Sequence, residues 1–260
     1  MNKSKKPSEQ PTQNFLGLPM RWDHKNAFKN LWNKNDEQIF PPKHFGIGWS
    51  LNFHALLKST GVLNPKVRDL NSLPSDLPVP QDDGACDHLS QLAIPRIILP
   101  STVDRKIDLQ KQSQKPTILF FYPRTGEPSM PAPEDWDLIP GARGCTPQSC
   151  GFRDLNSEFK ELGFEIFGVS SQNSEYQKEF VKRNHIPFEI LSDEEFKLTD
   201  AINLPTFQYN EMRLIKRMAL VLKDGKIVKV FYPVFPPNKN AETVLSWIQK
   251  QRKSNEHTNI

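Results

Sequence analysis

The chain is poor in cysteine and glycine and has no long apolar run. Three cysteines stand among 260 residues. An odd, low count excludes a secreted disulfide scaffold and points to reactive thiols in a reducing compartment, with the cytoplasm as the expected location. No stretch of 18 or more apolar residues occurs, so no membrane span and no membrane partner are expected. Met1 to Gln13 is polar and contains lysine but has no apolar centre, so it does not read as a signal peptide. The net charge of +4 is mild and no dense basic block exists, which argues against a nucleic-acid partner. His24, His44 and His54 follow no metal-ligand spacing. There is no internal repeat and no Cys-x-x-Cys pair.

What is present suits a packed domain with irregular connections: 37% hydrophobic residues, 17 Phe and 23 Pro. The length fits one domain of ordinary size plus something smaller. Residues 1–14 read as a disordered polar tail. Residues 15–60 read as a small N-terminal module. Trp22, Phe28, Leu31 and Trp32 fall near helical spacing and are expected in its core or its docking face. Residues 61–83 carry Pro65, Pro74, Pro78 and Pro80 and read as a linker. Cys86 follows among turn residues and reads as an incidental free thiol. The main domain spans 84–253.

Within it, 97–100 and 107–109 flank a turn, and Thr117 to Tyr122 is an apolar run expected as a core strand. A loop over 126–143 is long enough to expect a functional use, with Trp136 as its anchor. Phe152, Leu155, Phe159 and Leu162 predict one helix ending at Gly163. Then come a strand at 164–170, a helix at 174–184, a strand at 188–191, a short helix at 194–201 and, at 204–214, a loop with room for a short edge strand. A hairpin is predicted around Lys223-Asp224-Gly225-Lys226, and a closing helix over 241–252. This order predicts an α/β fold of thioredoxin-like type, a central mixed sheet flanked by helices, with a small N-terminal appendage.

The chemistry concentrates in Gly144-Cys145-Thr146-Pro147-Gln148-Ser149-Cys150, where the long loop enters a helix. A helix start presents unpaired N–H groups and partial positive charge, which favours thiolate over thiol. Pro147 suits a first turn because its missing N–H costs nothing there. Cys145 is therefore the expected nucleophile. Five residues along an intact helix separate the two cysteines by about 7.5 Å, while a disulfide needs Cα atoms within roughly 7 Å. If the two bridge, the first turn must unwind, which is the logic of a thiol peroxidase with a local resolving thiol.

Tyr122-Pro123-Arg124, Gly144 to Cys150, and Phe152-Arg153-Asp154 resemble the peroxiredoxins, in particular the bacterioferritin-comigratory or Q-type branch of the redoxin superfamily. The resemblance covers about residues 84–252. It implies a thiol-dependent peroxidase reducing hydrogen peroxide or organic hydroperoxides. Cys145 is then the peroxidatic residue, Cys150 the resolving one in an intramolecular disulfide, and Arg217 the cation at the leaving oxygen. Lys216, beside it, should face the other way. A thioredoxin- or glutaredoxin-like reductant, no cofactor, and a monomer or homodimer are implied. One position departs: the family threonine three residues before the cysteine is Ala142 here, and Thr125 or Thr146 is the candidate replacement hydroxyl. Residues 36–53 resemble a short bacterial module of unknown function, which implies a folded appendage and no chemistry. Two other readings stay open: a peroxide-sensing or partner-binding redoxin with little turnover, and a thiol-disulfide oxidoreductase.

Overall fold

The structure, a computed structural model, describes residues 13–15, 18–23, 25, 27–33, 35–36, 38–43, 45–47, 49–53, 55–56, 73–127 and 135–258. The chain divides into two compact units, Met1–Val67 and Arg68–Ile260. His24, His44 and His54, and residues 1–12 of the predicted tail, lie outside the described residues, while Gln13 and Asn14, expected in that tail, are paired in a strand.

The smaller unit holds β1 (Gln13–Phe15), β2 (Leu18–Trp22) and β3 (Phe45–Ile47), paired antiparallel in that order, and a 3-10 turn at Lys29–Trp32. The helical spacing predicted over 22–32 gives way to a strand end and this turn. Of the two places expected for the aromatics, core or docking face, the core is not where Trp22 and Phe28 lie. Trp22 is 56% exposed and Phe28 79%, and Phe40 and Trp49 are also on the surface. Among the described residues these aromatic side chains lie at the surface, with Trp22 edge-on to Phe45 at 5.3 Å. A polar side chain ties the unit together instead. Buried Asn52 donates to the carbonyls of Asn33 (3.0 Å) and Asp36 (2.9 Å) and accepts from the Asn33 amide.

The larger unit opens with a hairpin, β4 (Ile98–Pro100) and β5 (Lys106–Asp108), and a turn of helix, α1 (Leu109–Gln112), capped by Asp108. Then follow β6 (Thr117–Phe121), α2 (Cys145–Asp154), α3 (Asn156–Glu161), β7 (Glu165–Ser170), α4 (Ser174–Asn184), β8 (Glu189–Ser192) and α5 (Lys197–Ala201). After β9 (Thr206–Tyr209) and β10 (Met212–Ile215) come β11 (Met218–Lys223), β12 (Lys226–Phe231) and α6 (Asn240–Thr258). The main sheet runs β12-β11-β6-β7-β8, parallel from β6 to β8 and antiparallel across β11. This is the predicted thioredoxin-like arrangement. β6 sits at its centre, and all five of its residues are buried, as a continuous apolar run with cover on both faces requires.

One face carries Leu119, Phe121, Leu220 and Leu222 under Leu89, Leu99, Leu109 and Leu198. The other carries Ile118, Phe120, Ala219 and Val221 under Phe152, Phe159, Phe180 and Val244. Two elements differ from expectation. The helix predicted to run to Gly163 breaks at Leu155 into α2 and α3. The 204–214 loop is an antiparallel strand pair, β9 with β10. Trp136 anchors its loop, as expected: it is buried against Tyr209 (5.0 Å, edge-on) and Phe207.

Candidate active site

The site forms where β6 ends and α2 begins. Phe152 on α2 stacks on Phe120 of β6, with ring centroids 4.4 Å apart and planes within 12°. That contact fixes the helix over the sheet and places Cys145, its first residue, at the edge of the core. Gly144 precedes it at φ +101°, a left-handed conformation that glycine adopts without steric cost. A Cβ built there would stand 2.3 Å from Cγ of Pro237 and 3.0 Å from a Cδ of Leu73. Only a hydrogen fits.

Cys145 is buried, and its Sγ lies 3.2 Å from Nη2 of Arg217 and 3.6 Å from the carbonyl of Ala142. Arg217 is 3% exposed and precedes β11. Its Nε donates to Gly141 O at 3.1 Å, and Nη2 donates to the carbonyls of Ala142 (3.0 Å) and Arg143 (3.1 Å). Nη1 donates to Oε1 of Gln148, whose Nε2 in turn donates to Oδ1 of Asn240 at 2.9 Å. Gln148 is fully buried and Asn240 nearly so. Apart from the Cys145 sulfur, every partner named here for the guanidinium is a neutral carbonyl or amide oxygen.

Tyr122 follows β6 directly and is fully buried, its hydroxyl without a hydrogen-bond partner among the described residues. Burial, and then the nearby Cys145 sulfur, push that hydroxyl well above the usual tyrosine range. Lys216 turns the other way, as alternation predicts, to Asp83 and Tyr232. A cavity of about 380 Å³ opens beside Arg217, walled by Val79, Pro80, Ile139, Phe207 and Val234.

The structure thus brings Cys145 and Arg217 together and puts Cys150 on the same helix, half-buried and unbridged. Thr125 goes elsewhere: its N–H (2.8 Å) and hydroxyl (3.1 Å) both donate to Oε1 of Gln172. The expectation that it replaces the missing threonine is corrected on that ground. Ala142, at the threonine's place, packs with Trp136, Tyr209 and Leu214, so the anchoring of the long loop occupies the position. Thr146 is buried in the first turn of α2. Cys86 is no surface thiol. It is buried on the opposite face of the sheet, its Sγ 4.0 Å from the sulfur of Met218. Sequence reasoning missed Gln148, Asn240 and Leu73. Gln148 was within reach of it, because three residues beyond Cys145 is the same side of the helix. The other two come from distant chain and left no local signal.

A helix-start thiol under a buried arginine, on a five-stranded mixed sheet, defines a cysteine-based redox protein of thioredoxin-like fold. The redoxin family model matches residues 90–245. Peroxiredoxin Q from Sedum lineare is 32% identical over 60% of this chain and 75% of its own length. Peroxiredoxin Bcp from Escherichia coli is 26% identical over 60% of this chain and 92% of its own. Peroxidoxin BcpB from Mycobacterium tuberculosis superposes with a TM-score of 0.50 at 23% identity, covering 62% of this chain and 96% of that one. The chain belongs to the redoxin family, in its peroxiredoxin Q branch. It is accordingly a thiol-dependent peroxidase.

Proposed function

We propose that Cys145 is the peroxidatic residue, Arg217 its electrostatic partner and Cys150 the resolving thiol. The Cys145 thiolate attacks one peroxide oxygen. The S–O bond forms, the O–O bond breaks, and the other oxygen leaves as water or an alcohol after taking a proton. Charge develops on that leaving oxygen. The Arg217 fork, held in place by three carbonyls and Gln148, needs no reorganisation to meet it. The observation that carries the assignment is the 3.2 Å contact between a buried guanidinium and Sγ of Cys145.

The Cys150 thiol then attacks the sulfenic sulfur, the S–S bond forms and the oxygen leaves as water. Five residues of helix separate the two, so the first turn of α2 has to open. In the folded helix burial raises the Cys150 thiol, Arg153 lowers it and Asp154 raises it. Opening into water removes the largest of these effects and favours the attacking thiolate. A thioredoxin- or glutaredoxin-like dithiol returns both cysteines to the reduced state. Hydrogen peroxide and organic hydroperoxides are the proposed substrates. The proposed setting is the cytoplasm, as monomer or homodimer, and the low cysteine count supports a reducing compartment.

The test is peroxide consumption with a thioredoxin system, plus intact mass after equimolar peroxide. Wild type should turn over and lose the mass of two hydrogens. Cys145→Ser should fall to background, and Cys150→Ser should stop at a gain of one oxygen. A Cys145→Ser protein that still turns over would end the assignment.

A further inference from the structure

Residues 73–83 were expected to be linker, yet they lie against the active-site loop. Half-buried Leu73 closes over Gly144 together with Pro237, leaving no room for a Cβ. Pro80 lies 3.7 Å from where a Cβ of Gly141 would stand, and Val79 and Pro80 wall the cavity beside Arg217. At the end of the stretch, the Asp83 carboxylate accepts from Nζ of Lys216 at 2.7 Å and from the Tyr232 hydroxyl at 2.8 Å. Lys216 is the chain neighbour of Arg217 and points away from it. The segment is therefore held at two places. One is an apolar contact over the residue where α2 begins, and the other is an ionic latch behind the catalytic arginine.

The resolving step has to move the residues this segment covers. Gly144 and Cys145 are the start of α2, and opening its first turn carries them away from the Leu73 contact. We propose that Leu73–Asp83 is a strap that keeps the first turn of α2 folded and thereby sets how fast Cys150 reaches the sulfenic acid on Cys145. Leu73 and Asp83 are positioning residues for resolution, not catalytic residues. The inference rests on the roles given above to Cys145 and Cys150.

Its consequence is a competition. Sulfenic Cys145 has two fates. Attack by the Cys150 thiol forms the S–S bond and releases the oxygen as water, and it needs the turn open. Attack of the sulfenate on a second peroxide breaks another O–O bond and gives a sulfinic acid plus water or an alcohol. That second fate needs the folded pocket with Arg217 in place. The strap slows the first fate and leaves the second untouched.

The experiment follows the two oxidation steps separately, by rapid quench and intact mass, in Leu73→Ala and Asp83→Asn. Initial oxidation of Cys145 should match wild type. Disulfide formation should accelerate about five-fold in Leu73→Ala, where apolar contact is lost from the folded turn alone. It should accelerate about two-fold in Asp83→Asn, because a half-exposed ion pair contributes little. With excess peroxide, the fraction gaining two oxygens should fall in both. Unchanged or slower disulfide formation, with normal initial oxidation, overturns the strap. If Leu73→Ala does not fold, Asp83→Asn decides by the same readout. If wild-type Cys145 takes up no oxygen at all, the site assignment fails and this inference falls with it.

Discussion

Two cysteines of this chain, Cys145 and Cys86, are almost equally buried, at 4% and 5% exposed, and they lie on opposite faces of one sheet. Consecutive residues of the chain meet them. Arg217 reaches Cys145, and Met218, the first residue of β11, touches Cys86. Alternation along the strand sends these two neighbours to opposite sides, so one thiol faces a fixed cation and the other a thioether. Burial, and then the Asp83 and Asp82 carboxylates, push the Cys86 thiol up to about 12. Depth in the protein therefore does not distinguish the two cysteines. What distinguishes them is the side chain aimed at the sulfur, together with a helix start under one and a turn in the core under the other; the proposed assignment of the reaction to Cys145 rests on that difference.

The contrast can be tested most strongly at those neighbours. Arg217→Met should lower peroxidase kcat/KM by about a hundred-fold or more, the usual loss for one fixed donor at a developing charge. Met218→Leu, one residue on, should stay within about two-fold. An Arg217→Met protein of normal activity would erase the distinction between the two faces. Next in size is Gly144→Ala. A side chain at φ +101°, 2.3 Å from Pro237, should cost about 2 kcal/mol or more in thermal unfolding. The smallest effect belongs to Cys86. Its pKa is raised on folding, so its contribution to stability is complete below the unfolded thiol value of about 8.5. That contribution is lost as pH climbs towards about 12. Cys86→Ala should flatten the alkaline limb of a Tm-against-pH curve, and alkylation of the native protein at pH 8 should spare Cys86. Rapid labelling of Cys86 would contradict its placement.

Much of this was legible from local pattern. Thr117 to Phe121 announced a central strand because nothing polar interrupts it, and Asp224-Gly225 announced the hairpin by its turn chemistry. Cys145 stood out by its place at a helix start, and Arg217 through the family resemblance. The structure added the geometry that joins them, across 72 residues of chain. What escaped was non-local. Asn240 supports Gln148 from another helix, and Leu73 returns over Gly144 from a stretch whose prolines read as a tether. The break at Leu155 also escaped, because Phe152 and Phe159 keep one apolar stripe through it. The aromatic residues of the smaller unit misled for a related reason. Spacing alone does not say whether there is a core for them to fill.

That break at Leu155 bears on the opening of α2 proposed for the resolving step. Phe159, beyond it on α3, is fully buried, while the ten residues before it form a helix with ends of its own. Phe152, before the break, stacks on Phe120 of the sheet and on Phe159 of α3, so it pins the end of α2 that the crease leaves separate. The opening proposed for the resolving step then has a short lever, from Cys145 to the turn before Phe152, with the ring as its peg.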